Sequence, residues 1–428
     1  MKLSQTDNKL AQLLQAELNR QEHGLEMIPS ENFVSPAVLE ALGSIGTNKY
    51  SEGYPGRRYY GGCQFVDQIE NLAIARAKKI FNVDHANVQP YSGSPANLAV
   101  YFALLDVGDT VLGANLSFGG HMTHGLKVNF SGTLYKAVNY TADKNGYLDF
   151  DEIRNLAKEH GPKMIIAGYT AYPRIIDWQK FREIADEVGA FFMADIAHIA
   201  GLIIGGQHPS PTRIADVTTT TTHKTLRGPR GAMILSNGTV SNPAKKVERI
   251  KENIPTLIDR AIIPGLQGGP HNHTTAAIAV ALHEASKPEF KDYAKQIVLN
   301  AKALAESLMN EGIKLVTDGT DNHLMVADLS SLGVSGKEAE TALDEVGITV
   351  NKNTVPFDKR KPFDPSGIRL GTPALTSRGF KENDLKIVGQ LIAKLLKNIN
   401  DASIKEGIKK TVKELTDKHP LYPDLKYN

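Results

Sequence analysis

Short apolar segments with the pattern of strands alternate with helical segments between residues 65 and 236, and this alternation constrains the fold most strongly. When a helix follows each strand, the chain returns to begin the next strand in the same direction, so the strands pair in parallel. A parallel sheet is covered on both faces, which explains why these strands are apolar throughout. The sequence therefore predicts an α/β fold with a mostly parallel sheet between helices.

The positions of these strands and helices follow from the spacing of apolar residues. Predicted strands lie at 87–90, 110–114, 163–169, 190–195, 217–222 and 231–236. Predicted helices lie at 66–80, 95–105 and 179–188, and the last one ends at Gly189. Near the N-terminus, leucines at helical spacing predict a polar amphipathic helix over residues 7–24, which a loop-rich stretch follows.

The pattern changes near residue 272, where a smaller α+β region is predicted to begin. Helices are predicted at 272–287, 289–312, 381–398 and 402–416, and short strands near 314–317, 323–329, 348–351 and 368–370. We therefore expect an N-terminal helical arm over 1–45, a large α/β domain over 46–275, and a linker helix with a C-terminal α+β domain over 276–428.

Composition excludes several classes of protein. The chain has 428 residues and a net charge of +2, so neither nucleic acid nor an anionic membrane is an expected partner. Cys63 is the single cysteine, and the sequence has no Cys/His cluster with metal-ligand spacing, so we expect no disulfide and no metal site. We find neither a membrane-length apolar run nor the features of a signal or transit peptide. These observations predict a cytoplasmic protein.

Five threonines, residues 218–222, lead directly into His223 and Lys224 and then into a turn with Gly228 and Pro229. β-branched residues favour an extended backbone and Gly-Pro ends it, so Lys224 should lie just beyond the end of a strand. A lysine that is not solvated loses its proton more readily, and the neutral amine can form a Schiff base. An ordinary surface lysine is the alternative that this segment alone leaves open.

A second candidate is the segment Ser-Gly-Ser-Pro at 92–95, between a predicted strand and a predicted helix. Ser94 suits the N-cap position and Pro95 the first helical position. Backbone N–H groups and the helix dipole would then face the turn, as in phosphate-binding sites. Capping without any ligand is the alternative.

Three further side chains are placed for ligand binding. Asp195 ends a predicted strand, where ligands of open α/β sheets bind, so its carboxylate could face a ring nitrogen or could instead cap the next segment. His121, in a glycine-rich turn after another strand, could stack on a flat ligand or lie on the surface. Arg369, in a short strand, could bind a carboxylate bidentately or form a structural salt bridge.

Taken together, these groups define a pyridoxal phosphate site. The lysine supplies a Schiff base, the helix N-terminus binds phosphate, and the acid pairs with the pyridinium nitrogen, while the arginine makes the substrate an amino acid. Nucleotide-binding motifs of the P-loop and Rossmann type are absent from the sequence. The loop 50–62, rich in Gly, Tyr and Arg, is a further functional candidate because long loops without periodicity often carry function.

With these residues in place, the sequence resembles the serine hydroxymethyltransferase family of fold-type I pyridoxal phosphate enzymes across essentially the whole chain. The resemblance rests on the segments 30–32, 54–62, 194–198, 222–231, 267–270, 321–323 and 368–373. It implies a large domain with a mostly parallel seven-stranded sheet between helices, and a smaller C-terminal α+β domain.

The resemblance also implies roles for individual residues. Lys224 would hold pyridoxal 5'-phosphate covalently, Asp195 would pair with its ring nitrogen, and His121 would stack on the ring. His198 and Thr170 would contact the phenolic side of the ring, and Ser92, Gly93 and Ser94 would bind the phosphate. His223 would help set the reaction specificity. Arg369 and Ser30 would bind the carboxylate of the amino acid. Thr170 stands where the family often has serine, and it keeps the hydroxyl.

The resemblance further implies a homodimer whose active sites are shared between the subunits. The residues expected to enter from the other subunit are Tyr50, Glu52, Tyr60, Gly268 and Gly269. Glu52 would handle the proton near the serine hydroxyl and the folate. The pterin pocket would involve Tyr59, Leu116, Gly120, Met122, Asn353 and Phe363.

The reaction implied by the resemblance is the reversible transfer of the hydroxymethyl carbon of serine to tetrahydrofolate, which gives glycine and 5,10-methylenetetrahydrofolate. A threonine-type aldolase or another enzyme of the same fold is the alternative, because it would share Lys224, Asp195 and Arg369. Such an enzyme would not need the loop 50–62 or the pterin residues. A homologue that binds but does not catalyse is a second alternative, although it would not need all of these groups intact.

Overall fold

The computed structural model describes residues 2–237 and 253–427, which form two compact units. We call residues Val34–Lys295 the sheet unit, and residues Met1–Phe33 with Gln296–Asn428 the terminal unit. The helix Pro288–Asn310 contains the boundary between them. The division into an arm over 1–45 and domains over 46–275 and 276–428 stays a prediction.

A seven-stranded sheet organises the sheet unit. Its strands, in spatial order, are His85–Asn87, Ala232–Ser236, Val217–Thr221, Phe191–Asp195, Met164–Ala167, Thr110–Ala114 and Lys136–Tyr140. The strand Ala232–Ser236 is antiparallel to both of its neighbours, and the other pairings are parallel. The predicted α/β fold with a mostly parallel seven-stranded sheet is therefore confirmed.

The edge strand Lys136–Tyr140 was not predicted from the sequence. Its residues are mostly half-exposed or exposed and include Lys136 and Asn139, so the strand lacks the continuous apolar run of the central strands. It pairs in parallel with Thr110–Ala114 over five residues, and this pairing stabilises an extended conformation that its own sequence does not predict.

Helices surround this sheet and bury its apolar side chains. Their bounds are Pro36–Leu42, Gln64–Phe81, Gly93–Leu104, Phe130–Thr133, Phe150–His160, Trp178–Val188, Ala200–Ile204, Ile254–Arg260 and Asn272–Ala285, with short 3-10 helices at Ile45–Asn48, Leu116–Phe118 and Met122–His124 and a π-helical segment at Ala261–Leu266. Val100 of the helix Gly93–Leu104 packs in one core cluster with Ile166 and Ile234 of the sheet. Burial of such side chains stabilises the fold by about 1.5–3 kcal/mol each.

The helix Gly93–Leu104 begins earlier than the sequence predicts. Ser92 is the N-cap, and its side chain makes no capping hydrogen bond, so the prediction of Ser94 as N-cap and Pro95 as first helical residue is wrong. Pro95 instead occupies the third helical position. The first helical N–H groups have no partner within the helix, so a residue without an N–H is tolerated there as well.

The terminal unit combines helices with a four-stranded antiparallel sheet. The strands, in spatial order, are Lys314–Leu315, Leu324–Asp328, Gly367–Gly371 and Asn351–Asn353. The strand Leu25–Glu26 pairs in parallel with Ile348–Thr349. The helices are Leu3–Thr6, Asn8–His23, Gly336–Glu345, Pro373–Ser377, Glu382–Lys397 and Ala402–Lys418, with 3-10 turns at Val316–Asp318 and Ser330–Leu332. Among the described residues, no helix combines the length and the apolar character that a membrane span requires.

Candidate functional site

Asp195 lies at the carboxyl end of a central strand of the sheet, as the sequence predicts. Its Oδ2 accepts a hydrogen bond from Nδ2 of Asn97 at 2.9 Å and lies 3.2 Å from Nε2 of His124. Burial alone would raise the pKa of Asp195, but hydrogen bonds from His124 and Asn97 hold it well below its usual value. The carboxylate is therefore ionised and can face a cationic ring nitrogen.

The second ring-binding candidate, His121, lies beside Asp195. Its Nδ1 lies 2.7 Å from Oγ1 of Thr123, and burial lowers its pKa to about 4, so the ring is neutral near pH 7. One ligand-type atom from each of His121, His124 and Asp195 falls within 4.8 Å of the others. The two histidines and the aspartate thus form one compact group, whose hydrogen bonds connect its members. The absence of a metal stays a prediction.

Lys224 lies three residues beyond the strand Val217–Thr221, in a turn that hydrogen bonds close on both sides. The side chain of Thr222 donates to the carbonyl of Pro229 at 2.6 Å, and the N–H of Gly228 donates to the carbonyl of Thr222 at 2.7 Å. Lys224 is buried, although lysine is mostly exposed in proteins. Its position and burial fit an amine that reacts with a carbonyl group.

The lysine turn is tied to the segment that follows Asp195. The hydroxyl of Thr225 donates to the carbonyl of His198 at 2.8 Å and accepts from the N–H of Gly201 at 3.0 Å. His198 is buried at this junction. The structure therefore holds the backbone at His198 next to the Lys224 turn.

His223 has a buried ring nitrogen that could bind a ligand. Nδ1 of His223 is buried and makes no hydrogen bond to any of the residues 2–237 and 253–427. Burial, together with the charges of Arg230 and Lys224, lowers the pKa of His223 to about 3. A neutral imidazole with an unsatisfied buried nitrogen is costly unless a ligand uses it.

The predicted phosphate site lies where the helix Gly93–Leu104 begins, next to the strand that leads to Lys224. A Cβ on Gly93 would lie 2.8 Å from Cγ2 of Thr221, so this position accepts no larger residue without a shift. Ser92, Gly93 and Ser94 therefore bring the N–H groups of a helix N-terminus close to the strand end, which favours an anion.

Thr170 contacts the loop around His121, which also carries the predicted pterin residues Leu116, Gly120 and Met122. The hydroxyl of Thr170 donates to the carbonyl of Gly120 at 3.1 Å, and its N–H donates to the carbonyl of Gly119 at 2.7 Å. In the same loop, Leu116 and Met122 are both 46% exposed, which leaves their apolar side chains available to a ligand.

The loop 50–62 and residues 268–269 form one partly exposed cluster, which we call the tyrosine cluster: Tyr50, Glu52, Tyr60, Gly268 and Gly269. The hydroxyl of Tyr50 donates to Oε1 of Glu52 at 2.9 Å, and the rings of Tyr50 and Tyr60 meet edge to face at 5.0 Å. A Cβ on Gly268 would lie 3.0 Å from Oε1 of Glu52, and one on Gly269 would lie 3.2 Å from the Tyr50 ring. The glycines thus allow the loop to approach closely.

A buried arginine that the sequence analysis did not single out anchors this loop. The guanidinium of Arg58 donates to Glu70 at 2.6 Å and to Asp67 at 2.8 Å. It also donates to the carbonyls of Ser51 and Gly53, both at 2.8 Å, on either side of Glu52. The Arg58 and Glu70 side chains are each 3% exposed, so this ion pair is buried.

The predicted substrate residues of the terminal unit also lie close together. Arg369 is buried in the strand Gly367–Gly371, where its Nε donates to Oδ1 of Asn351 at 3.0 Å and burial lowers its pKa to about 10. The N–H of Gly371 donates to the carbonyl of Met27 at 2.8 Å, which brings the segment leading to Ser30 alongside this strand. The buried guanidinium favours binding of an anion.

Two other predicted pterin residues belong to this unit. Asn353 pairs with Gly367 in the adjacent strand, two residues from Arg369. Phe363 lies in the loop between the strands Asn351–Asn353 and Gly367–Gly371 and is 86% exposed. Tyr59, in the sheet unit, is 71% exposed. Exposed aromatic side chains of this kind often mark surfaces that bind a ligand or a partner.

Sequence reasoning missed the polar residues behind the site, namely Asn97, Thr123, His124 and Thr219. Asn97 is buried within an otherwise apolar stretch of helix, and a buried amide needs partners. That signal was present in the sequence, as was the second histidine of the glycine-rich turn. The partners of Asn97 could not be identified without the fold, because they lie far along the chain.

Comparisons with known proteins agree with the geometry of the site. The family model described as "Serine hydroxymethyltransferase" matches residues 3–392. A curated protein named "Serine hydroxymethyltransferase", from Desulfotalea psychrophila, is 57% identical over 425 residues, which is 99% of this chain and 96% of that protein. The similarity therefore covers every candidate residue described above.

Proposed function

The chain belongs to the serine hydroxymethyltransferase family, and we propose how its own residues carry out the reaction of that family. The enzyme is a pyridoxal phosphate-dependent transferase that moves the hydroxymethyl carbon of serine to tetrahydrofolate, giving glycine and 5,10-methylenetetrahydrofolate. When bound, pyridoxal phosphate accepts the electron pair that is left at the α-carbon when its bond to the hydroxymethyl carbon breaks.

The residues around the predicted cofactor site fit pyridoxal phosphate. Lys224 is the amine that would hold the cofactor and release it to substrate, and its burial supports this role. Asp195, kept ionised by its hydrogen bonds, would hold a proton on the ring nitrogen. The neutral ring of His121 would stack on the cofactor without placing a second positive charge beside it.

Phosphate binding is assigned to Ser92, Gly93 and Ser94 at a helix N-terminus. His198 and Thr170 would contact the phenolic side of the ring. The unpaired buried nitrogen of His223 supports its placement against substrate or cofactor, where a neutral imidazole can accept or donate a proton.

We assign binding of the carboxylate of serine and glycine to Arg369 and Ser30. Arg369 is buried and holds its fork in place through Asn351, so it can bind a carboxylate with little loss of side-chain freedom. Fixing the carboxylate and the amine at two points orients the bonds at the α-carbon, which contributes to the rate through positioning.

Glu52 is the proposed proton-handling group at the serine hydroxyl and the folate. Its carboxylate is held by the hydroxyl of Tyr50, and Arg58 fixes the loop on both sides of it. A carboxylate in such a fixed position can take the proton of the hydroxyl group as the carbon bond breaks. The pterin pocket is assigned to Tyr59, Leu116, Gly120, Met122, Asn353 and Phe363.

We further propose a cytoplasmic homodimer in which the tyrosine cluster of one subunit completes the active site of the other. The cluster presents exposed aromatic rings, with Tyr50 53% and Tyr60 48% exposed. Exposed aromatic groups beside a functional carboxylate are typical of surfaces that a partner covers. A two-fold dimer would place two equivalent copies of this cluster opposite two cofactor sites.

The observation that carries the proposal is the ionised, hydrogen-bonded Asp195 beside a neutral His121 in the unit that also buries Lys224. The test is Glu52→Gln, which keeps the shape and removes the carboxylate. We expect the variant to bind pyridoxal phosphate and glycine as the wild type does but to lose most tetrahydrofolate-dependent cleavage of serine. Turnover equal to that of the wild type would show that another group handles the proton.

A further inference from the structure

We propose that Asn97 and Thr123 are positioning residues for the cofactor, because one buried hydrogen-bond chain through them fixes both the carboxylate of Asp195 and the tautomer of His121. The inference rests on the proposed function, since it requires Asp195 and His121 to face pyridoxal phosphate. Asn97 and Thr123 are 1% and 0% exposed, so neither is placed to touch solvent.

The orientation of the Asn97 amide follows from its neighbours. Its Nδ2 lies 2.9 Å from Oδ2 of Asp195 and 2.8 Å from Oγ1 of Thr123, and its Oδ1 lies 2.7 Å from Oγ1 of Thr219. An ionised carboxylate can only accept hydrogen bonds, so Asn97 must turn its NH₂ group toward Asp195. Both N–H bonds and the oxygen of the amide then have partners, and the side chain has a single favourable orientation.

The direction of the hydrogen bond from Asn97 to Thr123 determines the tautomer of His121. Because the Thr123 oxygen accepts a hydrogen bond from Asn97, its own proton is left to donate to Nδ1 of His121 at 2.7 Å. The N–H of Thr123 points to the same nitrogen at 3.3 Å. Nδ1 therefore accepts, and the single proton of the neutral ring is placed on Nε2.

His124 closes the group from the other side. Its Nε2 must donate to the carboxylate of Asp195, at 3.2 Å, so its Nδ1 accepts from the N–H of His121 at 3.3 Å. The other oxygen of Asp195 accepts from the N–H of Ala197 at 3.1 Å. Every donor and acceptor in this hydrogen-bond network is thus consistent with one arrangement. In it, Asn97 donates one hydrogen bond to Asp195 and one to Thr123, which in turn donates to His121.

This arrangement fixes the protonation states of Asp195 and His121 before the cofactor binds. Donors from Asn97 and His124 keep Asp195 ionised, and the Thr123 hydroxyl keeps His121 in one neutral form. A group that is already oriented and in the correct protonation state loses no free energy to reorganisation on binding. The two residues act through Asp195 and His121 and touch neither substrate nor cofactor.

The test uses nearly isosteric variants of the two positioning residues. Asn97→Asp replaces the NH₂ donor with a second carboxyl oxygen beside Asp195, which should raise the pKa of the pair. Thr123→Val removes the hydroxyl at constant shape, and Thr123→Ser retains it as the matched control. For each variant we would measure the dissociation constant of pyridoxal phosphate and the absorption spectrum of the bound cofactor against pH. In the apoprotein we would measure the melting temperature and the ¹⁵N shifts of the His121 ring.

We expect Asn97→Asp to weaken pyridoxal phosphate binding by about tenfold or more, as for loss of a hydrogen bond to a charged group, and to shift the pH profile of the absorption spectrum. Thr123→Val should weaken pyridoxal phosphate binding and change the ¹⁵N shifts of the His121 ring in the apoprotein, because Nδ1 loses its hydroxyl donor. Thr123→Ser should restore both the ring shifts and the affinity of the wild type.

Two outcomes separate this inference from the proposed function. A wild-type protein that binds no pyridoxal phosphate would overturn the proposed function and this inference with it. A wild type that binds the cofactor, together with Asn97→Asp and Thr123→Val variants whose affinity, pH profile and ring shifts match it, would overturn the positioning role alone. The same would follow if Thr123→Ser lost affinity as much as Thr123→Val, since the hydroxyl would then be irrelevant.

Discussion

The buried ion pair between Arg58 and Glu70 should dominate the stability of the loop that presents Glu52. Arg58 makes four hydrogen bonds, two to carboxylates and two to the carbonyls that flank Glu52. Arg58→Met keeps an apolar stem but leaves the Glu70 carboxyl, 3% exposed, with Gln89 as its remaining side-chain donor at 2.7 Å. Breaking a buried pair by removing one partner costs about 3–5 kcal/mol.

Protonation of Glu70 sets an upper limit to this cost. Burial already raises the pKa of Glu70 while Arg58 is present, and without the arginine the pKa should rise further, so the carboxyl can become neutral. The double variant Arg58→Met/Glu70→Gln should therefore be less destabilised than the two single variants combined, by about 1 kcal/mol or more. In Arg58→Met, folate-dependent turnover should fall more than the affinity for the cofactor, because the Arg58–Glu70 pair positions Glu52.

The assay is urea denaturation of the apoprotein, with the melting temperature as a second measure. Arg57→Met is the matched control, because Arg57 is the exposed neighbour of Arg58 in the two-residue strand Arg57–Arg58 and should change the free energy of unfolding by less than about 0.5 kcal/mol. If Arg58→Met loses less than about 1 kcal/mol, or no more than Arg57→Met, the buried pair does not hold this loop and the reasoning is refuted.

Two further predictions concern residues in and near the proposed cofactor site. Burial lowers the pKa of His121 to about 4 and that of His223 to about 3, so below pH 6.5 the unfolded chain binds more protons and stability falls as the pH falls. His223→Asn should flatten the decrease in unfolding free energy between pH 6.5 and 4, by up to roughly 3 kcal/mol, and an unchanged slope would contradict the shift. Gly168→Ala should cost about 2 kcal/mol or more and weaken cofactor binding, because its Cβ would lie 2.7 Å from Cβ of Asp195 at a φ of +153°. Gly161→Ala, at a φ of +53° with open space around it, should cost about 1 kcal/mol, and equal losses would show that crowding at Asp195 is unimportant.

The sheet was predictable because its central strands are apolar runs between helices. The strands predicted at 110–114 and 190–195 correspond to Thr110–Ala114 and Phe191–Asp195, and this correspondence put Asp195 at the correct edge of the sheet. Lys136–Tyr140 and the helix Phe150–His160 escaped because their sequences are mostly polar: this helix buries only Ile153 and Ala157. Tertiary pairing overrode weak local preference in the strand. The helix, by contrast, has the N-cap Asp149 and the C-terminal Gly161, which are local signals that the sequence analysis did not use.

The polar network behind the site could not be predicted from local pattern. Asn97 and Asp195 are 98 residues apart in sequence, and His124 and Asp195 are 71 apart, so only the order of strands brings them together. Ser94 was assigned as the N-cap because serine before proline fits that motif, whereas Ser92 occupies the position. Arg58 was visible only as one charge in a loop, because its burial depends on packing against the helix Gln64–Phe81.

Complementation between two inactive variants tests most directly the claim that Lys224 and Glu52 act together in a site shared by two subunits. Lys224→Ala and Glu52→Gln chains carrying different affinity tags would be co-expressed, and the hybrid dimer would be purified through both tags. If each site takes Lys224 from one chain and Glu52 from the other, the hybrid has one intact site and should show about half of the wild-type folate-dependent serine cleavage. A hybrid as inactive as both parent variants would contradict the shared site.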